Sequence, residues 1–224
     1  MDLIQAINTR RSVREYENKF IDEKIINDIK LYIEDINKES GLNIQLVINE
    51  PKAFDSFLAH YGKFSSVKNY IALVAKKGSD VQEKIGYYGE KIVLYAQTLD
   101  LNTCWVALTY KKIKNTYTLK SGEKLHAVIA LGHGKTQGKE RKSKTLEQVS
   151  NVNETSPKWF VEGVKAALKA PTAINQQKFY FVENGGEVRV KAGKGFYTKM
   201  DLGIFKYHFE IGAWVENFRW KYNN

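Results

Sequence analysis

The sequence is short of the residues from which hydrolytic and metal-dependent sites are usually built. It holds a single cysteine, Cys104, and four histidines, His60, His126, His133 and His208. One cysteine excludes an internal disulfide, so nothing calls for an oxidising compartment, and its apolar neighbours Trp105 and Val106 favour a buried, inert thiol. The histidines show neither triad order nor metal-ligand spacing with that cysteine, which leaves hydrolase and zinc readings weak and no metal site expected. No apolar run approaches the roughly 20 residues that span a bilayer. The start, Met1-Asp2-Leu3-Ile4-Gln5, has no charged segment leading into an apolar one. A soluble cytoplasmic protein without membrane contact is expected. A dinucleotide fingerprint is missing too, since Gly132-His133-Gly134 is too short a match.

What is present suffices for an ordinary core. With 224 residues, 43% of them hydrophobic, the chain can form one large domain or two small fused ones. The net charge of +10 and thirteen tyrosines raise nucleic acid as a partner. Most of those tyrosines fall inside apolar-periodic segments, and no RRM, KH or zinc motif accompanies them. A nucleic-acid partner is therefore not expected.

Helical spacing of Ile25, Ile29, Ile33 and Ile36 after Asp22 predicts a helix over 22–37, followed by a strand at 44–48. A second strand is expected at 70–75, a long apolar helix over 80–99 ending at Asp100-Leu101-Asn102, and a third strand at 127–131. Gly132 to Lys144 reads as an exposed, strongly basic loop. Trp159, Phe160, Val164 and Leu168 then predict a helix that ends before Pro171. Strands at 178–183 and 187–192 are joined by Asn184-Gly185-Gly186. The aromatic-rich segment 199–220 reads as a last amphipathic helix. Segments 22–48 and 157–183 share one layout, helix then strand, and each half later supplies a long helix. This suggests a diverged internal duplication within a single domain, 1–224, of repeats 1–150 and 151–224.

Three short segments carry groups suited to binding. Thr9-Arg10-Arg11-Ser12-Val13-Arg14 sets three guanidiniums and two hydroxyls within six residues, able to grip a phosphate by forked, charge-assisted hydrogen bonds. Lys142-Ser143-Lys144 offers two ammoniums in the basic loop. Pro171-Thr172-Ala173-Ile174-Asn175-Gln176 joins a rigid turn to a hydroxyl and two amides, donors and acceptors that suit a flavin ring or ribityl chain. Taken singly, the first two are equally compatible with solvated basic surface, and the third with a plain helix-to-strand connection.

Together, in this order, the segments resemble the FMN-binding signatures of the nitroreductase family, over nearly the whole chain, and in particular a divergent, internally duplicated subgroup. Arg10, Arg11, Ser12 and Arg14 match the RRSxR segment that contacts the phosphate and ribityl end of FMN. The stretch 96–108 resembles the helix and Gly-Leu-x-x-x-Trp strand start whose NH groups face flavin N5 and O4, here Ala107 and Leu108. Asp100 and Leu108 stand where glycine is common. Lys142 and Lys144 match the cations that close on the phosphate. Pro171, Thr172, Ala173 and Asn175 match the SPSxxNxQPW segment, with Lys178 in place of its proline. In ordinary members that segment comes from the partner subunit of a homodimer, so here the second repeat would supply it in cis.

The resemblance implies an α+β, nitroreductase-like fold, a central mainly antiparallel sheet flanked by helices, with helices 80–99 and 199–220 as the spine of a pseudo-dimer. It implies one FMN per chain, NADH or NADPH as donor, and a small conjugated acceptor such as a nitroaromatic or quinone. Flavin N5 carries the chemistry, so no catalytic side chain is required, and Lys63 is a candidate cation beside the reduced flavin. A monomeric pseudo-dimer is expected, with a homodimer open. The alternatives are an FMN-binding protein without turnover and, behind it, a basic nucleic-acid-binding protein.

Overall fold

The computed structural model describes residues 1–78 and 80–221. Ser79 and residues 222–224 lie outside the described residues. The chain opens with α1 (Leu3–Thr9), α2 (Glu23–Ser40) and β1 (Asn43–Val47), then α3 (Phe57–Tyr61), β2 (Asn69–Lys76) and α4 (Val81–Thr98). Next come β3 (Asn102–Val106), β4 (Glu123–Gly132), α5 (Leu146–Val149) and α6 (Lys158–Lys169). The chain continues through β5 (Phe179–Asn184), β6 (Glu187–Ala192), α7 (Thr198–Ala213) and β7 (Arg219–Trp220).

The first four strands form an antiparallel sheet in the order β1-β2-β4-β3. Both of its faces are covered, which is why β2 reads as a continuous apolar run rather than an alternation. Ile71, Leu73 and Ala75 pack toward α2 and α4, whereas Tyr70, Ala72 and Val74 pack with Phe54, Phe64 and Tyr110 on the other side. Opposite Leu73 and Val74 the ladder skips His126, so Ala127 pairs with Leu73 and Leu125 with Val74. That extra residue reverses the phase of β4: Ala127 joins one core and Leu125 the other.

The α+β class and the antiparallel pairing agree with expectation, but the strands are shared between two sheets. β5, β6 and β7 form a second sheet, with β6 and β7 parallel, against α6 and α7. The turn between β5 and β6 is Gly185-Gly186, both at positive φ, as a two-residue hairpin of the twisted sense requires. Asp22 caps α2 as expected, accepting a hydrogen bond from Lys24 N. The helix expected to run to residue 220 stops at Ala213. Trp214 turns the chain in the left-handed region (φ 61°), and Phe218 and Trp220 re-enter the same core from β7.

Helices α4 and α7 cross at the centre of the molecule through two glycines. A Cβ on Gly86 would collide with the Met200 carbonyl oxygen, and a Cβ on Gly203 with the Glu83 carbonyl oxygen. Each glycine thus faces the residue three positions before the other, which is the reciprocity of a two-fold axis.

Candidate functional site

Residues 10–16 leave α1 and run across the first sheet. Val13 N donates to Thr103 O (3.0 Å) on β3, and Tyr16 N to Ser65 O (3.1 Å) beyond α3. The basic loop after β4 crosses this segment at Gly138, whose φ is 76° and where a Cβ would lie 2.6 Å from that of Arg11. Only glycine satisfies both the backbone and the approach. The crossing encloses a cavity of about 70 Å³ lined by Arg10, Arg11, Ser12, Lys139, Arg141 and Lys169, among others. The space exceeds two water molecules' share of liquid volume, roughly 30 Å³ each, and suits a group of phosphate size.

The cavity's charges are mutually unfavourable as they stand. Arg10 is buried, and burial followed by neighbouring Arg11 lowers its pKa, opposed by Glu90 and Cys104. Arg141 is pushed down to about 10 by burial and then by Arg10. Its guanidinium donates to Leu168 O (2.8 Å) and Ala170 O (2.5 Å), which fixes it beside the end of α6. The buried Nε of Arg10 has no hydrogen-bond partner. An anion with several acceptor oxygens would relieve the repulsion among Arg10, Arg11 and Arg141, so the lining fits the FMN phosphate. Arg11 donates to Asn8 O (2.7 Å) and Arg10 O (2.9 Å), closing the end of α1 while still lining the cavity. Arg14 lies away from it, over the Phe64 ring at 6.0 Å.

The lysines expected at the phosphate are placed elsewhere. Lys142 supplies its carbonyl oxygen to the amides of Asn175 and Gln177 (both 2.9 Å). Lys144 donates its ammonium to Gln177 O at 2.7 Å. The same loop brings Lys139 and Arg141 to the cavity instead; Arg141 is the loop's one arginine, which is the signal that could have singled it out, whereas nothing separates Lys139 from the surrounding lysines.

The 171–177 connection is tied to this loop and to α7. Ile174, Asn175 and Gln177 all have positive φ (47°, 56° and 44°), a strained run of non-glycine residues of the kind concentrated at binding sites. Asp201 holds it in place: Ala173 N donates to Asp201 Oδ1 (3.0 Å) and Gln176 Nε2 to Oδ2 (2.7 Å). Pro171 is buried, whereas Thr172 and Ala173 are half-buried and Asn175 is exposed. Thr172 Oγ1 accepts from Gln177 N at 3.1 Å.

Burial raises the Asp201 carboxyl from 3.8 to about 6, against the pull of Gln176, Ala173 and Arg141. A raised carboxyl pKa means the folded state holds the proton more tightly than the unfolded one. Stability therefore falls as pH rises from about 4 to about 6, by roughly 3 kcal/mol at most for a shift of this size. Asp201→Asn should flatten that slope, read as urea midpoints of both proteins from pH 4 to 7. An unchanged slope would place the titrating group elsewhere.

Just beyond the 96–108 stretch, Gly62 packs against Thr109, where a Cβ would lie 2.7 Å from Oγ1. This brings Lys63, itself at φ 62°, beside the turn holding Ala107 and the exposed Leu108. Cys104 is buried, and burial raises its pKa.

Sequence reasoning missed one buried cluster. Glu90 and His208 are fully buried and 2.8 Å apart (Oε1 to Nε2). Trp105 Nε1 donates to Glu90 Oε2 at 2.7 Å, and Arg10 Nε lies 4.0 Å from Glu90 Oε1. The cluster thus joins α4, α7, β3 and the cavity. Among the described residues no helix is long and apolar enough to cross a membrane, and no group of three or more acidic, His or Cys side chains could hold a metal.

Residues 2–213 match the family model described as "Putative TM nitroreductase". No curated protein matches. Among solved structures, one titled a putative nitroreductase, from Thermotoga maritima, has TM-score 0.70 at 24% identity, over 95% of this chain and 83% of that one. Another, titled a putative nitroreductase in complex with FMN, from Desulfovibrio desulfuricans, has TM-score 0.53 at 19% identity, covering 70% and 99%. At these identities the likeness is one of fold.

Proposed function

Because the chain belongs to the nitroreductase family of that model, we propose that it is an oxidoreductase binding one FMN and passing electrons from NADH or NADPH to a small conjugated acceptor such as a nitroaromatic or quinone. The observation that carries this reading is the crossing at Gly138, which gathers Arg10, Arg11, Ser12 and Arg141 around one phosphate-sized cavity.

In this reading Arg10, Arg11, Ser12 and Arg141 hold the phosphate. The 171–175 connection, fixed by Asp201, faces the flavin from the second half of the chain. The bound flavin supplies hydride acceptance and delivery at N5. The backbone NH groups of Ala107 and Leu108 and the ammonium of Lys63 stabilise the negative charge that reduction leaves, at the turn where Gly62 meets Thr109. The reciprocal glycine crossing of α4 and α7 supports a chain that imitates a dimer, so the site is complete in the monomer.

The test is the visible spectrum of the purified protein, with released flavin identified by mass and counted per chain, followed by NAD(P)H-dependent turnover of a quinone. About one FMN per chain with turnover is expected. Flavin without turnover would leave a binding protein, and no flavin uptake would remove the reading. Arg141→Ala should raise the FMN Kd about 30-fold, roughly 2 kcal/mol for a charge-assisted hydrogen bond. Lys142→Ala should change it less than about twofold, since its side chain does not line the cavity.

A further inference from the structure

Beside the small cavity lies a much larger groove, about 1050 Å³, between α1, α6, the basic loop and the end of α7. The two spaces share Glu140, Arg141, Ser143 and Lys169 as walls, so the groove begins where the phosphate cavity ends. Its floor is apolar and aromatic, with Ile7, Leu168, Trp159 and Trp214. One face of Trp159 is already stacked on Phe218 (interplanar angle 12°), but Trp214 is 62% exposed. Its backbone is left-handed, at φ 61° and ψ 111°, a conformation costly for a bulky residue and one that places the indole at the groove.

The cations of the groove are arranged by position on α6. Lys165 is paired with Glu162 at 2.8 Å. Lys158 and Lys169, at the two ends of the helix, have no acidic partner among the described residues. Eleven helical steps put their Cα atoms about 16 Å apart. Both line the groove, so the pair suits a ligand with two anionic groups that also carries a planar apolar part. Glu140 and Glu147, also on the wall, are acceptors for the hydroxyls of a sugar.

We propose that this groove binds the adenosine 2′,5′-bisphosphate end of NADPH, with the 5′-phosphate at Lys169, the 2′-phosphate at Lys158, and the purine against Trp214. The assignment deepens the oxidoreductase reading and rests on it for the identity of the donor, but the groove itself can be tested without turnover. It makes the enzyme selective for NADPH over NADH, because only the former carries the second anion.

The experiment is calorimetric titration of FMN-loaded protein with adenosine 2′,5′-bisphosphate, 5′-AMP and decanoate, with flavin content measured on the same sample. The bisphosphate should bind at least tenfold tighter than 5′-AMP. Lys158→Ala should abolish that difference, and Trp214→Ala should weaken both nucleotides about tenfold while leaving bound flavin unchanged. Equal affinities for the two nucleotides, absence of saturable binding, or binding of decanoate alone would overturn the proposal. Displacement of the bisphosphate by loading FAD in place of FMN would assign the adenosine to the flavin and overturn the NADPH assignment. Bisphosphate binding by protein that retains no flavin would keep the groove and remove the oxidoreductase reading, so the two failures are distinct.

Discussion

Gly86→Ala should destabilise the protein by about 3 kcal/mol, and Gly203→Ala by a similar amount. At an ordinary helical position the same change is favourable by up to about 1 kcal/mol, because alanine loses less backbone entropy on folding. Here the new methyl groups would meet the carbonyl oxygens of Met200 and Glu83, which are backbone atoms and cannot rotate aside. The helices must separate, and α4 and α7 carry Ile85, Ile92 and Val93 on one side and Ile204, Phe205 and Phe209 on the other into separate cores. Overpacking of this kind costs about 1–3 kcal/mol and sometimes more. Gly41→Ala is the control: it closes α2 at φ 68° with open space around it, so its cost is backbone strain alone, about 1 kcal/mol. Urea midpoints at constant m separate the cases. If all three changes cost the same, the close crossing is not what those two glycines serve.

The same crossing shows how far the sequence could be read. The two long helices announce themselves by apolar periodicity, and α2, α6 and the Gly185-Gly186 hairpin follow from spacing and turn chemistry. The end of α7 does not, because Phe218 and Trp220 return to the core that Phe205 and Phe209 already occupy. Their burial continues the aromatic pattern although the chain has left the helix at Trp214. The short α1 was not anticipated, although the sequence carries its signal, a capping box of Asp2 with Gln5 whose reciprocal hydrogen bonds the structure shows. At the site, the arginine-rich segment was legible as anion-binding chemistry. Which loop cation joins it was not read, although Arg141 is the one arginine among the loop's lysines; its place under the end of α6 is set by the fold. Glu90 and His208 are 118 positions apart, and nothing in either local pattern points to the other.

That pair makes the second prediction. His208 Nδ1 faces Ala166 O at 3.1 Å, and a carbonyl only accepts, so Nδ1 carries a proton. A second proton then lies on the bond between Nε2 and Glu90. Glu90→Ala leaves His208 and the Trp105 indole without their shared acceptor, and Arg10 without its nearest counter-charge, in a dry interior. Removing one partner from such a cluster costs about 4 kcal/mol. Glu90→Gln is milder and more informative. Its oxygen can accept from Trp105 and its amide can donate to a neutral Nε2, so the pair stays neutral overall and what is lost is the attraction of the carboxylate for Arg10 at 4.0 Å, for about 2 kcal/mol. An anion in the cavity would replace that attraction. Hence FMN should stabilise Glu90→Gln more than it stabilises the native chain, read as the shift in urea midpoint on adding saturating FMN to each. An equal shift would mean that Arg10 does not pass between Glu90 and the cofactor phosphate. A larger one would tie the buried cluster at the crossing of the two halves to the phosphate site at their edge.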